Sequence, residues 1–354
     1  KVYAVRSIDG GVTYSDTVRM DSYDTEMAWM PSVDLTDEGN PIVTYMVHDA
    51  GSTNPRYVYN NSMDAGLTFG TEVEIASSIP GEACDCCPAE VVASGNQQVV
   101  LFRNNDSDIR DMHAVYSGDN GANFDSYENV DQMNWSFNSC PSTGPDGHFL
   151  NSDLYAISAS RASGQFRVHV SRNTTSGPIT YAERLAIAPP PTTYGKQNYP
   201  RIAGDDQLMV ITWAEAESSN YEIYTAISTN GTLAEFNTSK QMVNNAILGA
   251  QNYPDIAYQN GVFHIVYQDL NVGAVVYKRG VLSSVGIAEN NSTEFKVYPN
   301  PVIAGNSIIV SGDDLQDAKI ECFSMLGQAI PIESSFANGQ LNIDLGGVPS
   351  GNYI

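Results

Sequence analysis

Ser7-Ile8-Asp9-Gly10-Gly11-Val12-Thr13-Tyr14 governs how the rest of the chain is read, because it returns. Ser62-Met63-Asp64-Ala65-Gly66-Leu67-Thr68-Phe69 repeats it, and Ser117-Gly118-Asp119-Asn120-Gly121-Ala122-Asn123-Phe124 is a looser third copy. The Asp residues are spaced by 55 both times. The chemistry of the motif is local. Asp accepts backbone N–H groups in a tight turn. Gly11, Gly66 and Gly121 take a backbone position that a Cβ would strain. Thr13 or Thr68 and the aromatic after it open the next strand. A strand–turn–strand signal at constant spacing marks a repeat architecture. It organises folding and supplies no chemistry by itself.

A second signal runs alongside. A Cys, Met or Tyr stands before Pro at Met30-Pro31, Cys87-Pro88, Cys140-Pro141, Tyr199-Pro200 and Tyr253-Pro254, with prolines separated by 57, 53, 59 and 54. Each unit then carries short runs rich in Val, Ile, Tyr and Thr, such as Ile42–Met46, Gln98–Phe102, Leu208–Trp213 and Val262–Tyr267. Gly, Asn, Asp and Ser bound these runs, as expected of strands. No long, well-capped amphipathic helix is visible, so the chain is expected to be all-β. The period predicts a β-propeller. Residues 1–20 supply the last two strands of one unit and five units follow. That favours six blades, with five as the alternative if the N-terminal strands close the last unit.

The repeated octapeptide resembles the Asp-box, S-x-D-x-G-x-T-W/F, of BNR or sialidase-like propellers. Ser7, Asp9, Gly11 and Thr13 match it, as do Ser62, Asp64, Gly66 and Thr68; Ser117, Asp119 and Gly121 match in part. The resemblance implies a propeller over residues 1–285.

After about residue 285 the period stops. Residues 286–295 read as a polar linker, and a small β-sandwich module is expected over 296–354. That module resembles the C-terminal sorting domain of type IX secretion cargo. The likeness rests on Tyr298-Pro299-Asn300-Pro301, the turn at Gly327, and Gly351 and Tyr353 near the end. It implies a Bacteroidota-type bacterium, export across the outer membrane with an outer-membrane shuttle as partner, and a secreted or cell-surface location. The start, Lys1 running straight into a strand, reads as processed or incomplete, and the end as clipped.

Charge narrows the partners. The 354 residues carry 41 Asp and Glu against 17 Lys and Arg, net −24. General binding to nucleic acid or an anionic membrane needs clustered positive charge, which is missing here. No apolar stretch reaches the 18 or more residues of a membrane-spanning helix.

Chemistry concentrates at the cysteines. Cys84-Asp85-Cys86-Cys87-Pro88 places three thiols in four positions, and Cys140 occupies the same phase as Cys87 in the next unit. A Cys87–Cys140 disulfide is expected from that phase, with Cys84 and Cys86 paired together or free. The competing reading is a thiolate site for copper or zinc, or a redox site. The segment also resembles a group of BNR proteins with C-[DE]-C-C-P and a later W-x₄-C-P-x-x-G-P, here Trp135 to Pro145. The Asp-rich turns are candidates for Ca²⁺.

A sialidase, as that family is known, would need three Arg around a carboxylate, a Tyr–Glu pair and an acid–base Asp. Arg103, Arg201, Glu215, Tyr267 and Asp269 are the candidates; Arg110, Arg161, Arg167 and Arg279 widen the Arg set, and Asp49, Glu90 and Glu217 the acids. The Arg-Ile-Pro signature of sialidases is absent. A glycosidase of another kind needs two carboxylates across a cleft. The expected function is therefore recognition of an extracellular ligand, a glycan first, with a sialidase-like glycoside hydrolase and a cysteine-centred metal or redox protein as alternatives.

Overall fold

The computed structural model describes all residues except 175–179, 188–194, 217–219, 246–248, 283–295, 304, 313–314, 316–319, 325–327 and 354. The chain divides into two compact units, Lys1–Leu282 and Ser283–Ile354. Gly327, Glu217 and the 286–295 segment lie outside the described residues.

The first unit is a series of antiparallel sheets. A two-stranded ladder, β1 (Tyr3–Ala4) with β2 (Val18–Arg19), comes first. The next sheet runs in chain order through β3 (Met27–Leu35), β4 (Pro41–Asp49), β5 (Thr53–Asn61) and β6 (Val73–Glu74). In the third, β7 (Glu82–Ala83) and β8 (Glu90–Ser94) share one edge of β9 (Gln97–Asn105), followed by β10 (Met112–Ser117) and β11 (Ser126–Asn129). The fourth holds β12 (Asp146–Leu150), β13 (Asp153–Ser160), β14 (Arg167–Thr174) and β15 (Thr180–Ala186). The fifth holds β16 (Lys196–Gly204), β17 (Met209–Ala216), β18 (Glu222–Ser228) and β19 (Gln241–Met242). The last holds β20 (Gln251–Gln259), β21 (Val262–Asp269) and β22 (Ala274–Val281). One 3-10 turn, Leu233–Asn237, is the helical element of this unit among the described residues.

Each sheet packs its face on the next. Ile42, Met46, Tyr57 and Tyr59 meet Val91, Val100, Phe102 and Val115. Leu101, Met112 and Ala114 meet Phe149 and Leu154. Tyr155, Ile157 and Val170 meet Ile202, Ile211 and Trp213. Strands such as β4, β9 and β17 are therefore buried on both faces, which explains their near-continuous apolar runs. The first strands β3, β8, β12, β16 and β20 line one common cavity. Asp34 Oδ2 accepts the Ala93 N–H at 2.9 Å and Asp146 Oδ2 the Ile202 N–H at 2.8 Å, tying neighbouring first strands together.

The octapeptide turns sit between β1 and β2, β5 and β6, and β10 and β11. In each, the Ser hydroxyl donates to the Asp while accepting the Gly N–H, as Ser62 does with Asp64 and Gly66, both at 2.8 Å. Asp64 Oδ1 accepts the Thr68 N–H at 2.8 Å and Oδ2 the Thr68 hydroxyl at 2.6 Å. In the third copy Asn123 replaces Thr and its side-chain amide donates to Asp119 at 2.8 Å. These donors, the side chains of Thr13, Thr68 and Asn123 first, hold Asp9, Asp64 and Asp119 down to about 2.

The proline signal is a β-bulge. Met30-Pro31 opposes the single residue Tyr45, Tyr199-Pro200 opposes Trp213, and Tyr253-Pro254 opposes Tyr267. Met30, Tyr199 and Tyr253 have φ of 51°, 53° and 51°. A non-glycine residue held there costs about 1–3 kcal/mol, which the surrounding ladder must offset. In the third sheet a longer excursion, residues 84–89, separates β7 from β8 at the same place. The register proline of the fourth sheet is Pro145, directly before β12, and not Pro141 as the sequence spacing suggested; the true intervals are 57, 57, 55 and 54.

The second unit has a four-stranded sheet ordered β23 (Lys296–Tyr298), β24 (Ser307–Ser311), β28 (Gln340–Asp344), β27 (Glu333–Ala337), plus a ladder of β25 (Cys322–Phe323) and β26 (Ala329–Ile330). Val310, Leu315, Leu341 and Ile343 form its core. Gln340 Nε2 donates to Tyr298 Oη at 2.9 Å, and Tyr353 Oη donates to Pro349 O at 2.7 Å. Pro299 and Pro301 each follow a cis peptide bond, while Gly351 lies against the Tyr353 ring.

Candidate functional site

Besides Asp34 and His148 further along their strands, the common cavity of about 460 Å³ is lined by one polar residue per first strand, placed just after the register proline. These residues are Ser32, Glu90, Asp146, Arg201 and Asp255. Each stands one or two places after its register proline, facing Thr44, Leu101, Ile157, Thr212 and Val266 respectively.

Four carboxyl groups, Asp34 among them, and one guanidinium thus share a small volume. Arg201 Nε lies 3.7 Å from Asp255 Oδ1, and Arg201 Nη1 donates to Pro145 O at 3.3 Å. Asp146 is clamped, accepting the Gly147 N–H at 2.7 Å as well as that of Ile202. Burial pushes its carboxyl up to about 6, against the pull of Arg201. Glu90 goes further, to about 8, through burial first and then the negative charge of Asp146. It is therefore a neutral acid at pH 7. Ser32 Oγ–H donates to Glu90 Oε1 at 2.6 Å. Asp255 is the exposed member, its side chain 69% accessible. A protonated and an accessible carboxyl facing one cavity are the raw material of acid–base chemistry.

Of the sequence candidates, Arg201 and Glu90 line this cavity. Arg103 is fully buried, donating to Arg110 O at 2.6 Å and Ala159 O at 2.8 Å and lying over the Trp135 ring at 4.9 Å. Glu215 is buried against Lys240 Nζ at 2.5 Å, Trp213 Nε1 at 3.0 Å and Gln197 Nε2 at 3.0 Å. Tyr267 is inside the contact between the last two sheets. Asp269 caps a turn, accepting the Asn271 N–H at 2.9 Å. Sequence reading passed over Ser32, Asp146 and Asp255; their place next to the register proline was the available signal.

The cysteines form a second cluster, set in the excursion between β7 and β8. The disulfide joins Cys86 to Cys140, with Cα atoms 6.1 Å apart, and not Cys87 to Cys140. The expected pairing fails because Cys140 precedes the register proline of its sheet by five residues, out of phase with Cys87. Cys84 and Cys87 are free and buried, their sulfurs 2.9 Å apart. Cys84, Cys86 and Cys87 are the one group of three metal-type side chains drawn together among the described residues. With Cys86 committed to a disulfide, two thiols remain, short of the four ligands of a structural zinc site.

No protein-family model and no curated protein matches the chain. Among solved structures, the GH93 α-L-arabinofuranosidase of Fusarium graminearum superposes with a TM-score of 0.51 at 10% identity, over 89% of this chain and 92% of that one. The Hadza microbial sialidase Hz136 gives 0.51 at 13% identity, over 78% of this chain and 58% of that one. At such identities the likeness is one of fold. The chain carries a β-propeller fold.

Proposed function

We propose that the propeller hydrolyses a glycosidic bond in its axial cavity, Glu90 serving as general acid and Asp255 as the partner carboxyl group. The observation that carries this is Glu90, kept protonated to about 8 by burial beside Asp146 while Asp255 stays accessible. An acid of raised pKa and a separate carboxylate are what glycosidic cleavage uses. Glu90 protonates the leaving-group oxygen, Asp255 supports the charge developing on the sugar or activates water, and Arg201, 3.7 Å from Asp255, holds that side chain in place. Two glycoside hydrolases of this fold support the choice of substrate class. Exposed Trp29 and Tyr253, the latter 4.4 Å from Tyr199 ring to ring, flank the bulges and offer faces for sugar stacking.

The test is turnover of aryl arabinofuranosides, arabinan oligosaccharides and sialosides. Glu90→Gln and Asp255→Asn should each lower kcat by roughly 10²–10⁴. Wild-type protein inert on the whole panel refutes the hydrolase reading; glycan binding retained without turnover would leave a recognition propeller.

We also infer a six-fold ring. The β1–β2 ladder carries its Asp-box between its strands as β5–β6 and β10–β11 do. It packs Val2 and Met20 on Val43, Tyr45 and Val58, as the outer half of a neighbouring blade would. For residues 296–354 we propose a role as an export address read by a type IX machine, on the strength of the Tyr298–Pro301 motif. Deleting these residues in a Bacteroidota-type host should hold the propeller inside the cell; unchanged export overturns that assignment.

A further inference from the structure

We propose that the four clustered cysteines form an internal thiol–disulfide exchange site, with Cys84 Sγ as nucleophile, Cys86 Sγ as the attacked sulfur and the Cys140 sulfur as leaving group. Nothing in the glycan chemistry of the axial cavity uses these groups.

The geometry is assembled for it. Cys84 Sγ rests 3.7 Å from Cys86 Sγ, in sulfur–sulfur contact, and 2.9 Å from Cys87 Sγ. A turn closed by the Cys87 N–H donating to Cys84 O at 3.0 Å gathers the three sulfurs. Tyr57 Oη donates to Cys87 O at 2.8 Å and pins that turn from the neighbouring sheet. Arg110 Nη1 is 3.3 Å from Cys84 Sγ, and Arg110 O is itself held by Arg103. Two guanidinium groups beside a buried sulfur favour its thiolate, the attacking species. The hydrogen bond from Cys87 and these charges bring Cys84 down to about 7, while Cys87, left as the donor, is pushed up. At the far end Cys140 is exposed, and its sulfur lies 2.9 Å from Ser142 Oγ, a donor ready for a released thiolate.

The steps balance without an external oxidant. The Cys84 thiolate forms a bond to Cys86 Sγ as the Cys86–Cys140 bond breaks, and Cys140 departs with the electron pair. Cys87 gives its proton to the Cys140 thiolate through solvent. It then attacks Cys84, forming Cys84–Cys87 and releasing Cys86 as thiolate. One disulfide and one negative charge are present before and after. The crosslink moves from the surface to the buried pair, and the segment leading to Pro145 and Asp146 is untied from the segment leading to Glu90.

The full chain, unreduced and in thiol-free buffer near pH 8, is incubated with N-ethylmaleimide and its peptides mapped without reduction. Wild type should acquire label on Cys140 together with a Cys84–Cys86 or Cys84–Cys87 crosslink. Cys84→Ser should lower the rate of Cys140 labelling at least tenfold. Cys87→Ser should keep that label and stop at Cys84–Cys86. Wild-type label confined to Cys84, Cys87 or Cys322 overturns the proposal, and this result needs no variant to fold. Cys140 labelling that survives in Cys84→Ser overturns it equally.

Discussion

Replacing Glu90 by Gln tests the electrostatics of the axial cavity apart from any substrate. Burial and Asp146 move the Glu90 carboxyl from 4.5 to about 8 on folding. Between those values the folded chain holds a proton that the unfolded chain has lost. The contribution of this group to stability is therefore fully present below about pH 4.5, declines as pH rises, and levels off above about pH 8. At about 1.4 kcal/mol per unit the whole loss is on the order of 5 kcal/mol. Gln keeps the shape and still accepts from Ser32 but cannot ionise. Urea unfolding of the two proteins from about pH 5 to pH 9 should show their stability difference widening in favour of Gln by about 1.4 kcal/mol per pH unit, then reaching a plateau. Asp146→Asn should bring that plateau to lower pH, since one cause of the shift is removed. A stability difference that stays constant across the range would refute the claim that Glu90 is a neutral acid at pH 7, and with it the role given to it in catalysis.

Gly121→Ala combines a φ of +82° with a Cβ driven into the Tyr59 ring, so thermal unfolding should register a loss of about 1–3 kcal/mol; Gly95→Ala, with φ +55° in open space, should cost less. Asp64→Ala removes the acceptor for Ser62 and Thr68 and should lower the melting temperature near neutral pH, an effect that shrinks as acid approaches the value of about 2 at which Asp64 itself protonates. Lys240→Met strands the Glu215 carboxylate, 1% exposed, with neutral partners, and should cost about 3–5 kcal/mol in denaturant melts; Glu215→Gln added to it should recover most of the loss. If Glu215 is structural, the double variant keeps wild-type turnover.

The legible and illegible parts of this chain divide by range. The Asp-box was readable because its donors and acceptors lie within seven residues, and even Asn123 for Thr keeps the bond pattern. The X-Pro marker was visible as a period, but its consequence was not. A bulge inserts one residue, and a one-residue slip turns side chains to the opposite face. Counting alternation along β20 or β16 therefore could not say that Asp255 and Arg201 reach the cavity. Cys140-Pro141 resembled Cys87-Pro88 and displaced the register from Pro145, which misdirected the disulfide by one sulfur. The partners of Arg103, at Thr143, Arg110 and Ala159, come from separate segments that only the packed sheets bring together.

The bulge of β3, β16 and β20 confines its distortion to one strand pair, with regular pairing resuming on either side. The side chain it presents follows directly where the ladder resumes, as Ser32 does opposite Thr44, Arg201 opposite Thr212 and Asp255 opposite Val266, and it faces the cavity. Ser, Glu, Asp, Arg and Asp already occupy these inward places in a single molecule. Each module can thus vary its contribution to the axis by a single codon while the scaffold stays constant, so repeats that began alike are free to specialise one at a time.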